Sequence, residues 1–156
     1  DQVDRVLYDL KHNPYSRRIM TNLYNHSDLH EMNLYPCAYS MTFNVTGNRL
    51  NGILNQRSQD VLVANNWNVC QYAILIHMLA QVSGLEAGEL VHVIADAHIY
   101  DRHIPLVEEL IGRTPYPAPR LVINTDVKDF YDFKVEDFVL ENYQRGPQIK
   151  NIPVAV

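Results

Sequence analysis

The sequence predicts an α+β fold, and three observations carry that reading. An amphipathic helical pattern opens the chain, alternating β-branched and aromatic runs follow it, and a long apolar helix then separates those runs from later strands. Strands and helices are mixed without the regular alternation of a parallel α/β protein, which leaves α+β as the class. The 156 residues suit a single domain, 1–156, with a sizeable core.

The elements are read in order. Val3, Val6, Leu7 and Leu10 fall on one helical face, so residues 2–12 are expected to be a helix stopped by the Asn13-Pro14 pair. "RRIMTNLYN" is strand-like, and "DLHEMN" reads as one helical turn. "AYSMTFNV" alternates, "TGN" at 46–48 is a turn signal, and "RLNGILNQRSQDVLV" reads as the returning strand, so 39–59 is expected to be a hairpin. Residues 66–82 are apolar almost all round and are expected to form a buried helix, with Gly84 and Gly88 bracketing its exit. "ELVHVIADAHIY" is a further strand, and "HIPLVEELIGR" is a short helix closed by Gly112. "TPYPAPR" must be extended, because each proline restricts itself and its predecessor; "RLVIN" is a strand, and the remainder mixes a short strand with irregular chain. The sequence opens without Met directly on a helical pattern and is expected to be the interior of a longer chain.

Composition bounds the function. Hydrophobic residues make up 47% and charged residues 20%, and the net charge of −5 argues against broad electrostatic binding of nucleic acid. Two cysteines make no disulfide framework, and neither sits in a CxxC pair; both are expected to be free thiols in a reducing cytoplasm. The longest apolar run, "VCQYAILIHMLAQV", is interrupted by Gln71 and His77 and is too short to span a bilayer, so no membrane partner is expected.

Several residues could carry chemistry. Cys37, in "LYPCAYS", is either a reactive thiol or a small buried hydrophobe; attack requires a thiolate and hence a nearby cation. If 39–59 is a hairpin, Arg57 returns toward the level of Cys37. Arg17 and Arg18, and Arg57 with Ser58, are reasonable phosphate ligands, with a solvated surface as the plainer reading. There is no Walker loop and no GxGxxG. His26 and His30 stand four apart beside Glu31, but no third ligand follows, so an exposed turn is expected and no metal site. His98 and Tyr100 point to one side of a strand, as a pair for a sugar hydroxyl or a half-buried polar pair. Asn68 could match an amide-like edge such as that of uracil, or cap its helix. Cys70 is read as structural, and Trp67 and Tyr72 as core or pocket wall.

The order "SRRI", "YPCAY", "QRSQDVLVANNWN", "DAHIY" and a terminal "PVAV" resembles thymidylate synthase, over the whole of residues 1–156 and in its C-terminal portion. The resemblance implies a large, mostly antiparallel or mixed sheet with flanking helices, packed sheet to sheet in a homodimer. It implies a methyltransferase that converts dUMP to dTMP with 5,10-methylenetetrahydrofolate and yields dihydrofolate. Cys37 falls on the catalytic nucleophile, with Arg57, Asp60 and Asn68 also in the catalytic set. Arg57, Ser58, Gln59 and Asp60 belong to the dUMP site, and Arg57 also favours the thiolate. Arg17 and Arg18 match the pair donated to the phosphate of the neighbouring subunit. Asn68 matches the reader of the uracil edge, and His98, Ile99 and Tyr100 match the segment at the deoxyribose 3′-hydroxyl. Asp60, Ala155 and Val156 match folate contacts, the last two in a tail that closes over the folate.

There are departures. Ala38 follows the cysteine where His is usual, "VANNWN" differs from the commoner Gly-containing loop, and the N-terminal portion of the family has no counterpart here. Two rivals share these residues: a dUMP hydroxymethylase, in which water traps the one-carbon unit, and a catalytically incomplete fragment that regulates a message by weak RNA binding.

Overall fold

The computed structural model describes residues 1–154. The chain divides into two compact units, Asp1–His98 and Ile99–Val156.

In the first unit, helix α1 spans Gln2–His12. The Asp1 carboxylate accepts from the Val3 amide at 2.7 Å and satisfies one of the four donors that a helix start leaves open. Lys11 and His12 place basic groups at the negative end of the helix dipole. Val6 and Leu10 are buried, one face of the predicted amphipathic stripe. Asp9 is buried on the same helix and is paired with Arg5 at 3.0 Å.

Three strands follow in antiparallel order, β1 (Met20–Asn22), β2 (Ala38–Thr46) and β3 (Arg49–Gln56). The strand-like run at 17–25 is strand only over its centre, and "DLHEMN" supplies one 3₁₀ turn at Leu29–Glu31. The hairpin turns at Gly47-Asn48, as "TGN" predicts. It ends earlier than expected. Pairing stops at Gln56, and Gln59–Asp60 forms a separate strand, β4, in another sheet. The Arg57–Ser58 link carries the chain out of the first sheet.

Helix α2 (Asn65–Ser83) then crosses over to β5 (Glu86–Ile94), which lies parallel to β3. The four-stranded sheet is therefore mixed, in the order β1-β2-β3-β5, with one parallel crossover. Gly84 closes α2 with φ +71, and the Leu85 amide reaches back to the Ala80 carbonyl at 2.9 Å, which is the left-handed stop that glycine permits. Strand β6 (Ala97–His98) pairs in parallel with β4.

The core lies between α2 and one sheet face. Met41, Phe43, Leu50 and Leu54 alternate inward from β2 and β3, and Tyr72, Ile76, Leu79 and Ala80 form the buried stripe of α2, which packs on β3 and β5. Gly52 makes this approach close. A Cβ there would stand 2.3 Å from Met41 Cε and 3.0 Å from Ile76 Cδ1. Each fully buried leucine contributes about 1.5–3 kcal/mol by leaving water.

The expectation of an α2 buried all round is corrected. Trp67 is 78% exposed, and Cys70 and His77 are exposed, because the helix meets the sheet along one stripe only. Cys70 is thus not a buried structural residue, and Trp67 is not core.

In the second unit, α3 spans Ile104–Ile111. Gly112 caps it, but with φ −73, a right-handed conformation that any residue adopts. Strands β7 (Arg120–Ile123) and β8 (Phe138–Glu141) pair antiparallel, as "RLVIN" and the short late strand predict. Between them Asn124 donates to Asp137 at 2.8 Å, and the Lys134 amide donates to the same carboxylate at 2.8 Å. These two bonds hold the Asp137 carboxyl below its ordinary value, the Asn124 bond contributing most. Arg102 and His103 bond the carbonyls of Val154 and Pro153 at 2.9 and 2.8 Å. Ala155 and Val156, the expected folate contacts, lie outside the described residues.

Candidate active site

The register of the hairpin builds the site. Ala38 faces Gln56, so the residues one step beyond each strand are Cys37 and Arg57. The Arg57 amide donates to the Cys37 carbonyl at 2.8 Å. Its guanidinium then wraps the preceding loop: Nη2 donates to the Tyr35 carbonyl at 2.7 Å, and Nε to the Pro36 carbonyl at 3.1 Å. The same Nη2 lies 4.0 Å from Cys37 Sγ. Cys37 is half-buried and free of any disulfide. A permanent positive charge beside a partly accessible sulfur is the setting in which a cysteine serves as a nucleophile. Of the two readings of Cys37, the small buried hydrophobe is the one that this geometry disfavours.

Arg57 also lines a recess of about 490 Å³ with Met20, Asn22, Tyr24, His26, Tyr39 and Ser40. Tyr24 sits edge-on to His26, Tyr35 and Tyr39.

Behind the strand end lies a polar cluster. Gln56 and Gln59 are buried at 2% and 1% exposure. Gln56 Nε2 donates to the Ser58 carbonyl at 2.8 Å and to Asn68 Oδ1 at 3.2 Å, and it also meets Gln59 Oε1. His92 Nε2 lies 2.8 Å from Gln56 Oε1. Burial lowers the His92 pKa from the ordinary histidine value, which keeps the ring neutral at pH 7. Asn68 stands in the first turns of α2, half-buried, and Ala64 is the cap of that helix; its amide side chain bonds to Gln56 instead.

Asp60 Oδ1 accepts from the Leu62 and Val63 amides at 3.0 and 3.2 Å, which turns the chain from β4 toward α2. Asp60 pairs with His98 across β4 and β6, and His98 Nδ1 lies 3.4 Å from Asp96 Oδ2. Ile99 and Tyr100 belong to the second unit, where the Tyr100 ring stands edge-on to His103.

The first unit thus brings Cys37, Arg57, Ser58, Gln59 and Asn68 onto one stretch of connected chain, with Asp60 and His98 paired beside it. It does not bring Arg17 and Arg18 there. Both are exposed, and among the described residues no hydrogen bond or ion pair joins either to Cys37 or Arg57. Sequence reading missed Gln56 and His92. Gln56 was visible as the inward-pointing residue before Arg57; nothing local marked His92, which sits in register with Leu54. His26 and His30 are exposed, His30 beside Glu31 at 3.7 Å, and among the described residues no group of three or more His, Cys, Asp or Glu could hold a metal ion. No described helix is long and apolar enough to cross a membrane.

These features define an α+β protein that sets a partly accessible thiol against an arginine at the open end of a hairpin. The family model described as thymidylate synthase matches residues 1–156. The thymidylate synthase of Bacillus licheniformis is 46% identical over 149 residues, which cover 96% of this chain and 53% of that protein. The thymidylate synthase of Bacillus mojavensis is 44% identical over the same span, 53% of its length. The solved structure of thermostable thymidylate synthase A from Bacillus subtilis superposes with a TM-score of 0.91 at 44% identity, covering 96% of this chain and 54% of that one. The chain belongs to the thymidylate synthase family and has its fold. It spans about half the length of these relatives.

Proposed function

We propose that residues 1–156 form one catalytic portion of a thymidylate synthase, which reductively methylates dUMP to dTMP. The observation that carries this reading is the placement of Arg57 Nη2 4.0 Å from Cys37 Sγ at the mouth of the hairpin. In the proposed reaction the Cys37 thiolate adds to C6 of the uracil ring. That addition makes C5 a nucleophile, which the aromatic-like ring alone does not offer. C5 attacks the folate methylene; loss of the C5 proton to a base and of the folate amine leaves an exocyclic methylene, which hydride from the folate then reduces, giving dihydrofolate. Release of Cys37 then restores the ring and frees the product.

The other residues take roles by their chemistry. Arg57 and Ser58 bind the phosphate, with Gln59 buried beneath them. Asn68 reads the N3–O4 edge of the base, and His98, Ile99 and Tyr100 serve the deoxyribose hydroxyl. Asp60 has one carboxylate oxygen engaged by backbone amides and offers the second to an N–H of the folate. Ala155 and Val156 contact the folate at the tail.

A homodimer completes the proposal. The sheet face turned away from α2 carries the cross-strand rows Met20-Thr42-Ile53-Val91 and Asn22-Ser40-Asn55-Val93. Met20, Val91 and Val93 are about half exposed on it, a mixed apolar and amide surface suited to meeting a copy of itself. Arg17 and Arg18, unpaired with the site of their own chain, would serve the phosphate of the partner's. Free thiols at Cys37 and Cys70 suit a reducing cytoplasm.

The test is product analysis. Incubation of the protein with dUMP and methylenetetrahydrofolate should give a product heavier by one CH₂, abolished in Cys37→Ser with dUMP binding retained. A hydroxymethyl product would assign the chain to the hydroxylating reaction instead, and substantial turnover by Cys37→Ser would remove the nucleophile role.

A further inference from the structure

Residues 143–154 belong to no helix or strand. Proline is one reason. Pro147 and Pro153 carry no N–H to give to a ladder, so their carbonyls are the groups a neighbour can hold. Side chains of the second unit hold them. Arg113 Nη1 donates to the Pro147 carbonyl at 2.7 Å, His103 Nε2 to the Pro153 carbonyl at 2.8 Å, and Arg102 Nη1 to the Val154 carbonyl at 2.9 Å. Asn151, with φ +56, turns the chain just before the last two of these contacts.

His103 differs from the two arginines because it is buried, at 2% exposure. A carbonyl can only accept, so Nε2 carries the proton in the bond to Pro153. Nδ1 is buried as well and, among the described residues, has no hydrogen-bond partner. The Pro153 carbonyl is therefore the polar contact that offsets burial of this ring. The ring is itself fixed. The His103 amide donates to the Tyr100 carbonyl at 2.8 Å, the Tyr100 ring stands edge-on to the imidazole, and α3 starts at the next residue. Arg102 adds a second point on the following carbonyl, from an exposed side chain whose bond water weakens. Donors on neighbouring residues thus hold consecutive carbonyls, which fixes both the place and the direction of the backbone at 153–154.

We infer that His103, with Arg102 in support, is a positioning residue for folate binding: it sets the backbone at 153–154, so that Ala155 and Val156 start from a fixed point. This rests on the folate contacts proposed above for those two residues. A segment without ladder bonds otherwise samples many conformations, and a ligand that needs one of them binds more weakly in proportion to how seldom it is found. Anchoring the backbone before the ligand arrives removes that loss. The nucleotide gains nothing from the anchor, because Tyr100 keeps its backbone bond to residue 103 whatever ring stands there.

The experiment compares His103→Phe, which keeps a ring beside Tyr100 and removes the donor, with His103→Gln, which restores an N–H at similar reach. The first readout needs no ligand. The NMR order parameter of the Val154 amide should fall from about 0.85 to below about 0.6 in His103→Phe and recover in His103→Gln. The second is equilibrium dialysis of tetrahydrofolate, which lacks the one-carbon unit and does not react, in the presence of saturating dUMP. Its Kd should rise by about five- to tenfold in His103→Phe and return to within about twofold of the original in His103→Gln. The Kd of dUMP alone should stay within about twofold in both. Arg102→Ala, at an exposed position, should move Val154 and tetrahydrofolate in the same direction, the Kd by about two- to threefold. An unchanged order parameter in His103→Phe overturns the inference, and so does unchanged tetrahydrofolate binding once Val154 has loosened. Equal weakening of dUMP and tetrahydrofolate, or the same loss in His103→Gln, marks a merely structural histidine and overturns it too. If neither histidine variant folds, Arg102→Ala decides, and no effect there overturns the inference. A protein that binds no dUMP before any substitution defeats the proposed function itself, a result distinct from any change at Val154.

Discussion

Replacing Arg57 with lysine separates charge from geometry at the proposed nucleophile. The backbone bond from residue 57 to the Cys37 carbonyl does not depend on the side chain and survives the change to lysine, so the hairpin keeps its register. Lysine also keeps the positive charge. What it loses is the planar fork that reaches the Tyr35 and Pro36 carbonyls together, at 2.7 and 3.1 Å. A hydrogen bond from a charged donor contributes about 1.5–3 kcal/mol when well buried. Arg57 is half-buried and the Tyr35 bond is exposed, so the pair together is worth about 1–3 kcal/mol after that discount. This is the free energy holding residues 35–37, and hence the sulfur, in position. The assay is the single-turnover rate of covalent adduct formation with fluoro-dUMP and methylenetetrahydrofolate at saturation. Arg57→Lys should slow it by about five- to 150-fold. Arg57→Ala should be slower still, because it also removes the charge. A lysine variant within twofold of the original rate would show that the fork does not position Cys37.

Other expectations follow from the same structure. Leu54→Ala, at a side chain with no exposure between sheet and α2, should lower the stability of the first unit by about 2–5 kcal/mol, measured as a drop in the urea midpoint with little change in slope. Asp137 is a carboxylate held below its unfolded value, so its contribution is fully present above the ordinary carboxylate value and is lost as pH falls below that value and through the lowered folded one. Relative to the intrinsic exchange rate at each pH, the Lys134 backbone amide should lose protection on acidification, and Asp137→Asn should remove that acid dependence. Arg17→Ala mixed with Cys37→Ser should gain activity over either alone, because a hybrid dimer would hold one site with both residues intact; no gain on mixing would refute shared sites.

Much of this architecture is legible in the residues themselves. The apolar spacing of Val6 and Leu10 and the Asn13-Pro14 stop define α1, and the alternation of Met41 and Phe43 against Leu50 and Leu54 defines a hairpin with one buried face. The same pairing predicts that Arg57 returns to Cys37, since it depends only on the turn at Gly47-Asn48 and a period of two. The break after Gln56 was not legible, because Ser58–Asp60 has the same local character as strand, and only the distant partner Ala97–His98 draws it into another sheet. The exposure of Trp67 and Cys70 was hidden for a similar reason: composition shows that a helix is apolar all round but not which stripe finds a sheet. His92 carries no local mark at all. Its meaning comes from a parallel pairing across a crossover of nineteen helical residues, a contact that periodicity cannot reveal.

The central claim is that Cys37 is the sulfur that attacks the pyrimidine. Intact mass and peptide mapping after incubation with fluoro-dUMP and methylenetetrahydrofolate test it most directly. The account predicts one added mass equal to nucleotide plus folate, carried on the peptide containing Cys37 and absent from Cys37→Ser. An adduct on the exposed Cys70, or none on a protein that binds dUMP, would contradict it.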